Sequence, residues 1–193
     1  MFIISTIADL IPICPEDFDK SSAVAIEDNI NAKYANKVIQ ELGLCMSFYC
    51  LLEASDGLIG HGTGMVNANV TFDMIVFRPH KGEIMMGKIS SGSEKGIKIT
   101  MEFFSDILIP PSLLMEGAKF DHAEQVWTFQ PEDGPIMYFD VGEIVRFRVE
   151  AEEWNEQNPN APDVFEDTSE IKPVSYSIIG SMQLDGLGPV AWW

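Results

Sequence analysis

The sequence predicts an α+β unit over residues 1–80 followed by an all-β barrel over residues 81–193. Three observations carry this. A helical hydrophobic period occurs once, between Ala23 and Leu42. Elsewhere the apolar residues alternate in short runs bounded by Gly, Pro, Asn and Asp, which is the pattern of half-buried strands and their turns. Between the two regions, Arg78-Pro79-His80-Lys81-Gly82 cannot lie inside a central strand, because Pro79 donates no ladder hydrogen bond and Gly82 packs no side chain.

In the first unit, Phe2 to Leu10 is the first strand, and Pro12 and Pro15 end it. Pro15-Glu16-Asp17-Phe18 is a helical turn with acids at its positive end. Ile26, Ile30, Tyr34 and Val38 fall at i, i+4, i+8 and i+12, with Ile39 and Leu42 continuing the stripe and Gly43 placed as its cap. The helix therefore runs from Ala23 to Leu42 and packs on its own sheet. Leu44 to Glu53 and Met65 to Phe77 are strands. Between them, Ala54 to Gly64 is turn-rich and carries Gly57, Gly60, Gly62 and Gly64. This run lacks the Lys-Ser/Thr of a phosphate loop, and a strand rather than a helix follows it. It predicts a flexible tip between strands, able to dock on another protein. The order β-α-β-β makes a small α+β module.

In the second unit, Glu83 to Ser90 and Ile97 to Met101 alternate around the turn Gly92-Ser93-Glu94-Lys95-Gly96, which predicts a hairpin. One face of it carries Lys88 and Lys98, and Phe103-Phe104 follows. Cations beside aromatic rings on a small barrel are the equipment of single-stranded nucleic-acid binding. The competing reading makes Phe103 or Phe104 core and the lysines merely solvated. Ile107-Leu108-Ile109, Ala123 to Gln130, Met137 to Phe139 and Ile144 to Glu150 add further short strands. Arg146 and Arg148 share one face of the last of these; an RNA contact and salt bridges to Glu143 or Glu150 both account for them. Residues 150–172 read as an acidic loop carrying Pro159 and Pro162. Val174 to Met182 then returns to strand, which closes an OB-type barrel. Trp192 and Trp193 are expected to lie against this barrel or a partner subunit.

The 193 residues carry 30 acidic and 12 basic side chains, a net charge of −18. Such an excess opposes general binding to nucleic acid, since each phosphate contact needs a cation. Any RNA contact is local and weak, and a basic partner surface suits the rest. Cys14, Cys45 and Cys50 form neither a disulfide framework nor a metal pair, which points to a reducing compartment, cytosol or nucleus. The apolar start MFIISTIADLIPI is too short to span a membrane and lacks a basic leader. His61, His80 and His122 have no ligand spacing, and no nucleophile stands beside a base. The expectation is a non-enzyme with no cofactor and no metal.

The segments FIISTIADLIPICPEDF, NINAKYANKVIQELGLCMSFY, DGLIGHGTGMVNANVTFDMIVFRPHKGEIMMGKI, FFSDILIPPSLL, FDVGEIVRFRV and GLGPVAWW together resemble the larger subunit of the RNA polymerase stalk heterodimer. That family includes the archaeal E subunit, and the likeness is to its RNA polymerase III branch. It covers essentially the whole chain; FRPHKGE and the terminal GLG and WW are its most specific pieces. The resemblance implies a ribonucleoprotein-like tip domain over 1–80 that wedges onto the polymerase core near the clamp, and an OB barrel able to touch emerging RNA. It implies a smaller stalk partner, contacts with initiation factors, a nuclear role in initiation, and no catalysis. Gly57, Gly60, Gly62, Gly64, Pro79, Lys81 and Gly82 match the family's core-docking region. Lys88, Lys98, Phe103, Phe104, Arg146 and Arg148 are the RNA-binding candidates. The rival reading is a freestanding single-stranded RNA-binding OB-fold factor, which would need a net basic barrel.

Overall fold

The computed structural model describes residues 1–131, 134–155 and 174–192. The chain divides into two compact units, 1–78 and 79–193.

The first unit is an antiparallel sheet with one helix on one face. Its strands are β1 (Phe2–Ile13), β2 (Lys37–Ile39), β3 (Gly43–Ala54), β4 (Leu58–Ile59) and β5 (Val66–Phe77), in the order β1-β5-β3-β2 with β4 on β5. The helix α1 (Ser22–Tyr34) buries Ala25, Ile26 and Ile30 against Ile11, Ile13, Val70, Phe72 and Met74. Strand alternation sets this face: even positions of β5 and odd positions of β1 turn toward the helix.

Two expectations fail here for local reasons. Pro12 does not end β1; it pairs with Asn67. Because β1 is an edge strand, the N–H that proline lacks is not needed on the open side. The helix stops at Tyr34, eight residues before Leu42. Asn36 takes a left-handed φ of 59°, after which Lys37–Ile39 pairs with Gly43–Cys45 as a hairpin. Val38 and Ile39 are β-branched and suit a strand better than a last helical turn. Gly43 is thus not a helix cap but the first residue of β3. Its φ is 133°, and a Cβ there would lie 2.5 Å from the Phe77 carbonyl oxygen, so a side chain has no room.

The second unit is a closed five-stranded barrel of β6 (Ile84–Ser93), β7 (Gly96–Thr100), β8 (Ile107–Ile109), β12 (Ile144–Trp154) and β13 (Tyr176–Ser181). The first three strands meander; β12 returns beside β6, and β13 fills the gap, antiparallel to β12 and parallel to β8. This is OB-fold connectivity. The barrel is filled by Met85, Ile89, Ile97, Ile99, Ile107, Ile109, Val145, Phe147, Val149, Tyr176 and Ile178, each at most 4% exposed.

Between β8 and β12 the chain inserts a small sheet, β9 (Lys119–Asp121), β10 (Val126–Phe129) and β11 (Met137–Tyr138). The Trp127 indole N–H donates to the Ser93 carbonyl at 2.8 Å and ties this sheet to the first hairpin. Trp192 stacks on Phe129 at 6.0 Å and meets Phe139 edge-on at 4.7 Å, after a short β14 (Gly188–Pro189) that pairs with β12. Trp192 thus lies against its own unit; Trp193 is outside the described residues.

The acidic stretch expected as a loop from residue 150 begins as strand. β12 runs on to Trp154, and Glu150 is the extra residue of a bulge between Val149 and Ala151. The bulge shifts the alternation by one. Trp154 is thereby turned onto Tyr176, with ring centroids 4.2 Å apart. The rest of that expected loop, 156–172, lies outside the described residues.

Candidate functional site

The outer face of β6 and β12 gathers three of the four candidate cations. Inward positions of both strands are core, so the even residues face outward. The register pairs Ile84 with Arg148, Met86 with Arg146, and Lys88 with Ile144. Each rung sets one cation opposite one aliphatic side chain, and Ile84, Met86 and Ile144 are 61%, 52% and 55% exposed. At the Lys88 end, Met86, Lys88, Thr100, Met101, Glu102, Phe103 and Ile144 line a cleft of about 620 Å³. Phe103 is half-buried there, so Lys88 and an aromatic ring border one recess.

The other candidates are placed differently. Phe104 is 6% exposed and packs on Tyr176 at 5.6 Å between ring centroids. It belongs to the core, and no base can reach its face; of the two adjacent rings, Phe103 is the one at the surface. Arg148 donates from Nη2 to Glu150 Oε2 at 2.9 Å, so its charge is already answered. Its Nε is buried without a hydrogen-bond partner. Glu150 also meets Lys81 at 3.6 Å. Lys98 stands on β7 opposite Leu108, in a separate recess that also holds Asp106 and Glu153. Burial pushes the Asp106 carboxyl up, with the Lys98 charge opposing. A lysine facing two carboxyls is a poor phosphate ligand.

In the first unit, the glycine run forms the turn of the β4–β5 hairpin. The Gly60 N–H donates to the Met65 carbonyl at 2.8 Å, and Gly62 and Gly64 take φ of 82° and 68°. Gly57 precedes β4. The reading of this loop missed Leu58 and Ile59, which are 72% and 75% exposed on a short strand beside the turn. The signal available was an aliphatic pair between glycines, with no alternation to carry it into a core.

Pro79, Lys81 and Gly82 form a turn within the second unit. Gly82 donates to the Val149 carbonyl at 2.7 Å, and Val149 donates back to Glu83 at 2.8 Å. The Glu83 carboxylate accepts from the His80 N–H at 3.0 Å, which closes the turn. Lys81 is the exposed member, its side chain 75% accessible.

His122 Nδ1 lies 3.1 Å from Glu94 Oε1 on the open surface. Among the described residues no group of three His, Cys, Asp or Glu could hold a metal, and no helix is long and apolar enough to cross a membrane. The arrangement can bind; a cation-aliphatic face, a lysine-aromatic cleft and an apolar hairpin tip are contact chemistry.

Comparison with known proteins adds the family. Residues 83–193 match the family described as RNA polymerase III subunit Rpc25. Residues 8–64 match the SHS2 domain found in the N terminus of Rpb7p/Rpc25p/MJ0397. The chain is 40% identical to DNA-directed RNA polymerase III subunit rpc8 of Schizosaccharomyces pombe and 37% identical to RPC8 of Saccharomyces cerevisiae, over the whole of both chains in each case. It is 24% identical to DNA-directed RNA polymerase subunit Rpo7 of Sulfolobus acidocaldarius over 63% of this chain and 66% of that one.

Proposed function

The chain belongs to the Rpc25 family of RNA polymerase III subunits, and from that premise we propose that it is the larger, non-catalytic half of the polymerase stalk. It pairs with a smaller subunit and works in the nucleus. It docks on the polymerase core near the clamp through the hairpin carrying Gly57, Gly60, Gly62 and Gly64 and through the turn carrying Pro79, Lys81 and Gly82. From there it meets initiation factors and supports initiation. Lys88, Phe103 and Arg146 meet emerging RNA, with Lys98 and Arg148 in lesser roles because carboxylates already face them.

The observation that supports this reading most is order: the two family matches fall one in each compact unit, and the relatives align end to end. Charge supports it too. A net charge of −18 suits a subunit held by protein contacts, with RNA affinity secondary. The test is affinity purification of the tagged chain from cells, followed by mass spectrometry. RNA polymerase III subunits in stoichiometric amounts are expected. A solitary chain that stays on RNA through high salt would overturn the reading and favour a freestanding RNA-binding factor.

A further inference from the structure

In an OB barrel the outer face of the second and third strands is the ordinary oligonucleotide surface. Here those strands are β7 and β8, and their outer face is built for a different guest. Lys98 of β7 stands opposite Leu108 of β8, and Leu108 opposite Ile179 of β13. Two residues back along these strands, Asp106 and Ser177 share that face, and Ser177 pairs with Glu153 of β12. These side chains line a recess of about 160 Å³. A small-molecule site needs roughly 300 Å³ or more, so the recess has room for one side chain. Among the described residues that line it none is aromatic, so no ring is offered to a base.

Its acceptors lack donors. The Asp106 carboxylate is half-buried, and among the described residues it accepts no hydrogen bond and joins no ion pair. Burial pushes this carboxyl up, and the Lys98 charge opposes that only from a distance. Glu153 accepts one long hydrogen bond, from Ser177 Oγ at 3.5 Å. The recess therefore holds two carboxylates against one lysine, over a floor of Leu108 and Ile179.

We infer that this recess receives an arginine side chain from a basic polypeptide. A guanidinium carries five donors in one plane and can turn them toward more than one carboxylate. Its methylene stem would lie on Leu108 and Ile179 while the charged head reaches Asp106. Charge favours this guest over its rivals. A phosphate is repelled by the excess carboxylate, and a second copy of the chain by the net charge of −18, which draws a basic segment in. The recess is complete within the second unit, so the stalk reading can fail without it.

The test is a titration of the full chain, labelled with nitrogen-15, by the peptide acetyl-Ala-Leu-Arg-Leu-Ala-amide at physiological salt. The amides of Ile107, Leu108 and Ile179 are expected to move and saturate. Citrulline in place of the peptide's arginine keeps the shape without the charge and should weaken binding by about tenfold or more. Asp106→Asn with Glu153→Gln should weaken it as much. Glu16→Gln with Glu27→Gln removes the same two charges from the first unit and should change it by less than about twofold, because salt screens distant charges. Asp106→Asn relieves a half-buried charge, so the recess variant should fold, and urea unfolding followed by tryptophan fluorescence checks that. Equal weakening by both pairs, or equal binding of the citrulline peptide, would overturn the inference. So would a titration that leaves the Ile107 and Leu108 amides in place. Movement of those amides by oligouridine in the unaltered chain would overturn it in favour of nucleic acid.

Discussion

Phe147 fills the middle of the barrel, and Gly180 makes way for it. A Cβ on Gly180 of β13 would lie 2.8 Å from Phe147 Cδ2 and 3.3 Å from Ile109 Cγ1. Phe147 and Ile109 are both fully buried, so neither can swing into solvent. Gly180→Ala gains about 0.4–1 kcal/mol from a stiffer unfolded chain. It loses about 1–3 kcal/mol to overpacking, for a net destabilisation of about 1–2 kcal/mol. Phe147→Leu alone costs about 1–2 kcal/mol through lost ring volume. It also removes Cδ2's rigid neighbours, so Gly180→Ala becomes nearly harmless in its presence, and the two changes couple by about 1 kcal/mol. The assay is urea unfolding followed by tryptophan fluorescence. All four tryptophans, at 127, 154, 192 and 193, lie in the second unit, so the signal reports the barrel alone. Additive costs in the double variant, or a stabilising Gly180→Ala, would refute the packing argument.

Asp9 gives the first unit a pH dependence. Burial pushes its carboxyl up, but the hydrogen bonds from Lys33 and Tyr34 outweigh this and hold it below its ordinary value. The unfolded chain therefore binds this proton more readily. The stabilisation, about 1 kcal/mol after solvent screening, is present above the ordinary carboxyl range and is lost as pH falls through the folded value. Circular dichroism of urea unfolding between pH 6 and pH 3 should show that loss, and Asp9→Asn should erase it. For RNA, Lys88→Ala with Arg146→Ala should lower the slope of log Kd against log salt by about 1–2, while Arg148→Ala leaves it nearly unchanged, its charge being already paired. An equal effect from Arg148→Ala would contradict the assignment. Leu58→Ser with Ile59→Ser should shift stability by no more than about 0.5 kcal/mol, both side chains being exposed. The same pair should cut recovery of the tagged chain with RNA polymerase III; full recovery would exclude the hairpin tip from docking.

Much of this fold was legible because alternation is a local signal. The hairpin of β6 and β7 and the inward set Val145, Phe147 and Val149 follow from sequence period alone. The errors share a cause of another kind. The stripe Ile26, Ile30, Tyr34, Val38 continues past the true helix end because Val38 and Ile39 also satisfy a strand, and only their pairing with Leu44 and Gly43 settles the choice. The acidic composition of Glu150–Trp154 hid a strand whose register is rescued by a bulge and by Tyr176, which lies 22 residues beyond Trp154. At the candidate site, sequence could place Arg146 and Arg148 on one face and offer Glu150 as a salt-bridge partner, but it could not choose between that pairing and RNA; the structure pairs Arg148 with Glu150. Phe103 and Phe104 were equivalent neighbours until the barrel took one of them. Leu58 and Ile59 were overlooked because exposure of an aliphatic pair is a tertiary property.

The parallel contact between Ile107 and Ile178 has a consequence for biogenesis. A ribosome must add some seventy residues after β8 before its neighbouring strand exists, and the β9–β11 excursion is made in the meantime. The sheet of the first unit, by contrast, is complete once Phe77 has been synthesised. Long-range pairing of this sort is slow, and it exposes unpaired strands while it waits. The nascent chain therefore carries one finished unit and one half-built cylinder, and chaperone demand should fall on the second.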